Sequence, residues 1–253
     1  MQRTSYTITT SDHVTISFDH FGDGRHEAAV LLCPGFFQSK ETATFRRLAQ
    51  SLAEGHDVLA MDFRGHGRSE GLYTFSAKEG EDLEAVLRRT RERYAHIGII
   101  GFSLGGAIAI NTLSIHPEQI VSLIAVSTPS VFEEIEFKWW TSEAMRTGVQ
   151  GLESGAGCRP GSLLLTKERP IENVKKLKPI PILFIHGTRD AIVGVEHSRR
   201  LYAAASQPKR LEIVEDGGHA EALFRDDPER FTRLVRDWFT PALSSRPASD
   251  ITT

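Results

Sequence analysis

"IIGFSLGGAIA", residues 99–109, decides the reading of the chain. A run of β-branched apolar residues closes at Gly101, presents one hydroxyl at Ser103, and passes Gly105 and Gly106 into a second apolar stretch. A buried strand giving way to a buried helix across so few residues leaves room for a very tight turn only. Such a turn forces its central residue to positive φ and brings the residues two before and two after it against neighbouring backbone, where only glycine fits. The glycines therefore expose one serine rigidly at the start of a helix, whose positive end favours developing negative charge. G-x-S-x-G alone is a weak pattern. Between a strand and a helix it is the setting of a nucleophile elbow.

Outward from this point the chain alternates. "AAVLLC" (28–33), "DVLAMD" (57–62), "HIGIIG" (96–101) and "PILFIHG" (181–187) read as buried strands, and "IVSLIAVS" (120–127) and "RLEIVE" (210–215) as further strands of the series. Helical patterns lie between them, among them "KEGEDLEAVLRRTRERY", with acids first and bases last as its dipole favours. "SYTITT" and "VTISF" at the start read as an antiparallel pair. The expectation is an α/β fold: a doubly wound, mostly parallel sheet with right-handed crossovers. After Pro129 the rhythm breaks for about 50 residues. Residues 1–128 and 179–241 are thus expected to form the core, 129–178 a lid insertion, and 242–253 a disordered tail.

A serine hydroxyl needs a base, and the base needs an orienting group. Asp190 follows "PILFIHG" and His219 follows "RLEIVEDGG". In a parallel sheet the carboxyl ends of all strands share one edge, so Ser103, Asp190 and His219 converge there despite their separation in sequence. Asp216 and Asp62 are alternative acids, less well placed, and His186, on the strand itself, is expected to brace the acid's loop. The oxyanion of a serine adduct needs N–H donors. Leu104, next after the serine, offers one. "PGFFQSK" (34–40) offers the second, from Phe36 or Phe37, with Phe36 taken as the donor.

Composition bounds the function. The 253 residues are 40% hydrophobic and 25% charged, with a formal charge of −3, which speaks against a nucleic-acid partner or an anionic membrane surface. No apolar run approaches the ~20 residues that span a bilayer. The first residues lack the apolar centre of a signal peptide, and Cys33 and Cys158 make no disulfide framework, so a cytoplasmic location is expected. Neither metal-ligand spacing nor a dinucleotide fingerprint is present, and no metal or cofactor is expected. The expected partner is a small-molecule acyl ester; a homodimer is left open.

"CPGFFQSK", "MDFRGHGRSEG", "GFSLGG", "HGTRD" and "GGH" together resemble the α/β-hydrolase superfamily, from Val14 to Phe239. The likeness leans to its lysophospholipase, monoglyceride-lipase and serine-aminopeptidase-like branch, with small bacterial carboxylesterases and feruloyl esterases nearby. It implies the α/β-hydrolase fold, a Ser103–His219–Asp190 triad, and a chiefly structural role for Asp62–Gly71 behind the oxyanion loop. Many relatives carry His-Gly where this chain has Pro34-Gly35. The expected activity is cleavage of carboxylic esters with a small to medium or aromatic acyl group, in a pocket walled by Phe36, Phe37, Phe132, Trp139 and Trp140. Thioesters, peptides, C–C bonds, or ligand binding without turnover are the alternatives on the same residues.

Overall fold

A computed structural model describes residues 2–135, 155–162 and 164–244. Eight strands form one sheet in the order β1-β2-β4-β3-β5-β6-β7-β8. β1 (Arg3–Thr9) and β2 (Thr15–Phe21) are antiparallel to each other, and β2 is antiparallel to β4 (Asp57–Met61). β3 (Ala28–Cys33), β5 (His96–Phe102), β6 (Ile120–Val126), β7 (Ile182–Gly187) and β8 (Lys209–Val214) continue in parallel.

β3 shows why its sequence is apolar throughout. Ala29, Leu31 and Cys33 enter one core cluster, while Ala28, Val30 and Leu32 enter another across the sheet. Alternate residues of a strand point to opposite faces, and both faces here are roofed by helices. Each fully buried Leu or Val contributes about 1.5–3 kcal/mol. α2 (Glu79–Arg91) and α3 (Leu104–Leu113) pack on the first face. α1 (Ala43–Leu52) and the C-terminal helix cover the second.

Among the described residues four further α-helices follow β6: α4 (Pro170–Asn173), α5 (Glu196–Ala204), α6 (Ala222–Asp226) and α7 (Pro228–Ser244). α6 is a helix that apolar periodicity does not reveal, since five residues are too short to show it. α7 runs past Phe239 to Ser244, into the segment read as a tail, because Leu243 buries itself in the second core cluster. Among the described residues no helix is long and apolar enough to cross a membrane.

One described arm of the 129–178 segment is fastened beside the sheet. Arg159 N–H donates to Gly65 O, Tyr73 N–H to Arg159 O, Gly161 N–H to Tyr73 O and Gly157 N–H to Phe37 O. The arm thereby joins the loop after β4 to the loop after β3.

Candidate active site

The loops after β3, β5, β6, β7 and β8 leave the same edge of the sheet and carry Phe36, Ser103, Ser127, Asp190 and His219. Ser103 stands between the last residue of β5 and the first of α3 with φ 50° and ψ −120°. A Cβ on Gly101 would lie 2.5 Å from Gly106 Cα, and one on Gly105 would lie 2.3 Å from both Cys33 O and Pro34 O. The sequence-based reason for these glycines is thus met in atoms. Leu104 is the first residue of α3, so its N–H has no acceptor within the helix.

Two more residues near Ser103 adopt positive φ without being glycine: Ser127 and Ala220, both at 47°. Conformations of this kind cost about 1–3 kcal/mol each and persist where surrounding contacts impose them. The contacts are visible. Ser103 N–H donates to Val126 O at 2.8 Å, Ser127 N–H to Ile185 O at 2.8 Å, and Ala220 N–H to Ser127 Oγ at 3.0 Å. The serine turn and the histidine loop are therefore both bonded to the Val126–Ser127 corner. Sequence reasoning passed over Ser127, because its partner, Ala220, lies 93 residues away.

Asp190 and His219 meet directly, with Nδ1 of the imidazole 2.7 Å from Oδ2. The other carboxylate oxygen accepts the N–H groups of Ile192 and Val193 at 3.0 and 2.9 Å. His186 braces the same loop, its Nε2 lying 2.7 Å from Val193 O and 3.2 Å from Asp190 Oδ2. Burial alone would raise the Asp190 carboxyl, but the imidazoles of His219 and His186 outweigh it and hold the group well below the usual carboxylate range. The alternative acids are engaged elsewhere. Asp216 forms an exposed pair with Arg189 at 2.7 Å, and buried Asp62 sits 3.1 Å from Lys40 Nζ.

The loop after β3 is held from behind. Phe37 N–H donates to His66 Nε2 at 3.2 Å, and His66 Nδ1 lies 3.2 Å from Arg64 O. Nε2 thus serves as an acceptor, and the Nδ1 proton goes to the carbonyl. Phe37 N–H is committed to His66, whereas Phe36 N–H has no acceptor among the described residues. The Phe36 ring stacks on Tyr73 at 5.5 Å and meets Phe75 at 4.8 Å and Phe37 at 4.3 Å. Phe37 is 40% exposed, Phe132 is half-buried, and Trp139 and Trp140 lie outside the described residues.

Burial pushes the His66 imidazole down to about 4 from an ordinary 6.5. An unfolded chain therefore takes up a proton below pH ~6.5 that the folded chain refuses until pH ~4, and stability falls across that window by about 3 kcal/mol. Above the window the contribution is constant. Urea titrations of the wild type and His66→Gln check this: from about pH 7.5 to about pH 5 the wild type loses about 2 kcal/mol more than the variant. Equal losses would contradict a neutral His66.

Among the described residues the fold assembles a cluster that local spacing does not show. Asp23, His26 and Asp57 each bring a ligand atom within 4.8 Å of the others. It lies at the amino end of β4, away from Ser103, and Asp57 already accepts the Tyr94 hydroxyl at 2.9 Å.

Residues 28–142 match the protein family described as alpha/beta hydrolase fold. The esterase Pf2001 of Pyrococcus furiosus is similar in structure, with a TM-score of 0.76 and 26% identity over 96% of this chain and 92% of that one. An AB hydrolase superfamily protein of Gibberella zeae is 24% identical over 91% of this chain and 86% of its own length. The uncharacterized protein YfhR of Escherichia coli is 25% identical over 74% of this chain, which spans 62% of that relative's length.

Proposed function

With the alpha/beta hydrolase fold as premise, we propose that this chain is a serine hydrolase that cleaves carboxylic esters through an acyl-enzyme on Ser103. The observation that carries the reading is the pairing of a serine at φ 50° on a strand-to-helix turn with a 2.7 Å Asp190–His219 hydrogen bond at the same sheet edge. The esterase of Pyrococcus furiosus supports the ester as the bond attacked.

In this reading His219 Nε2 takes the proton of Ser103 Oγ as that oxygen bonds to the acyl carbon. The carbonyl oxygen becomes an oxyanion between the N–H groups of Phe36 and Leu104, each such donor being worth about 3–4 kcal/mol. The imidazolium then returns its proton to the departing alcohol. Water, deprotonated by His219, attacks the acyl carbon, and Ser103 Oγ leaves with a proton. Asp190 keeps the Nδ1 proton in place, so that Nε2 faces the serine as an acceptor. The described arm at 155–162, part of the segment expected as a lid, is hung between the Phe37 and Tyr73 loops. Phe36 and Phe37 suit an acyl group that is apolar, of small to medium length, or aromatic.

Intact-mass spectrometry after treatment with a fluorophosphonate tests the proposal. The folded wild type gains one phosphonyl group and Ser103→Ala gains none. Labelling that persists in Ser103→Ala, or a folded wild type that takes no label, defeats it. A series of p-nitrophenyl esters of increasing acyl length then reads the acyl preference.

A further inference from the structure

Two loops of the proposed centre are bonded to each other by a pair of side chains outside the triad. Gln38 follows Phe37 in the loop after β3, and its Nε2 donates to Glu221 Oε1 at 2.7 Å. Glu221 lies two residues after His219 and directly precedes α6. Both side chains are buried and stand 183 residues apart in sequence, so this bond spans the molecule rather than a local turn. Each loop has its own anchor as well. Gln38 N–H donates to Gly35 O, closing the turn that contains Phe36, and Arg225 N–H donates to Glu221 O at the first turn of α6.

A buried carboxylate joined to a neutral amide is an expensive choice for mere packing, because the amide leaves its charge unneutralised. The titratable groups that act on it are His219, Asp190 and Arg225. Burial pushes the Glu221 carboxyl up, and His219 acts in the opposite direction. His219 is also the group that becomes cationic when a serine adduct forms.

Resting on the reading of Ser103 and His219 above, we propose that Gln38 and Glu221 are positioning residues of the reaction. Their hydrogen bond sets the distance between the Phe36 N–H and His219, and the Glu221 carboxylate adds a second anion beside the imidazolium. The two roles separate by mutation. Glu221→Gln keeps an oxygen for Gln38 to bond and removes the charge. Gln38→Leu keeps the charge and removes the bond.

The full chain is assayed with p-nitrophenyl acetate across the pH range, with circular dichroism reporting the fold. Glu221→Gln lowers the apparent pKa of the acid limb of kcat/KM by about 0.5–1 unit, because an imidazolium deprived of a nearby anion is less stable. Gln38→Leu lowers kcat by roughly 10–100-fold with KM changed less than about threefold and the acid limb unmoved. Should Gln38→Leu fail to fold, Gln38→Asn, one methylene too short for the bond, is read in its place. An acid limb that stays put in Glu221→Gln overturns the inference, as does wild-type kcat in the Gln38 variant. Ser103→Ala is run alongside. Activity retained there would defeat the reading of the serine, whereas an inactive Ser103→Ala beside wild-type Gln38 and Glu221 variants would defeat this inference alone.

Discussion

On the proposed mechanism, asparagine at position 190 lowers kcat for an ester by roughly ten-thousandfold while leaving the fold intact. Which way the new amide turns follows from the carboxylate's present partners. Oδ1 accepts two backbone N–H groups, from Ile192 and Val193, and an NH2 group placed there would face two donors. The amide oxygen therefore stays at that side, and the NH2 takes the position of Oδ2, 2.7 Å from His219 Nδ1. An NH2 donates, so Nδ1 becomes the acceptor and the imidazole proton moves to Nε2. In the proposed mechanism Nε2 is the atom that must receive the Ser103 proton, and in this tautomer it has no lone pair to do so. Steady-state kinetics on a p-nitrophenyl ester, with KM measured alongside, checks the outcome. The loss belongs in kcat, because Asp190 touches the base and not the substrate. A kcat within tenfold of the wild type would show that something other than Asp190 fixes the tautomer.

The same bond shows what is legible in one dimension. Ser103, Asp190 and His219 each follow an apolar run that reads as a strand, and the rule that parallel strands share a carboxyl edge suffices to bring them to one edge of the sheet. Gly101 and Gly105 were legible for a similar reason, since a tight strand-to-helix turn dictates what its flanks tolerate. Partners joined only by topology were not. Gln38 stands in plain view in "PGFFQSK", and Glu221 in "GGHAEAL", yet nothing local ties them. His66 reads as a lone histidine in a Gly-rich loop until the fold brings its Nε2 to the Phe37 N–H. That contact also separates the two candidate donors of the loop after β3, because it occupies Phe37 and leaves Phe36. α6 escaped notice because a short helix pinned by tertiary bonds needs no periodicity of its own.

Lys40→Met destabilises the protein by about 3–5 kcal/mol at neutral pH, although methionine matches the lysine stem in volume. Lys40 is fully buried, with Nζ 3.1 Å from Asp62 Oδ2, 3.5 Å from Glu41 Oε1 and 3.9 Å from Asp19 Oδ2. Asp62 is fully buried too and accepts the N–H groups of Lys40 and Arg68 at 2.8 and 3.0 Å. Burial pushes its carboxyl up, and the Lys40 ammonium is the chief force opposing that. With the ammonium gone, Asp62 keeps two N–H partners but loses its counter-ion, and the cost of a buried charge falls on the folded state. A carboxyl raised in the folded state above its unfolded value costs stability as pH climbs past the unfolded value. The Lys40→Met deficit is therefore small near pH ~4 and grows toward neutrality. Adding Asp62→Asn removes the stranded charge, so the double variant regains much of what the single one lost. Denaturant titrations of the three proteins at about pH 4 and about pH 7 measure each of these differences. A deficit independent of pH, and unrelieved by Asp62→Asn, would mean that Lys40 acts through packing and not through charge. The ammonium sits on the loop that presents the Phe36 N–H, so a shift of that loop in Lys40→Met also lowers kcat.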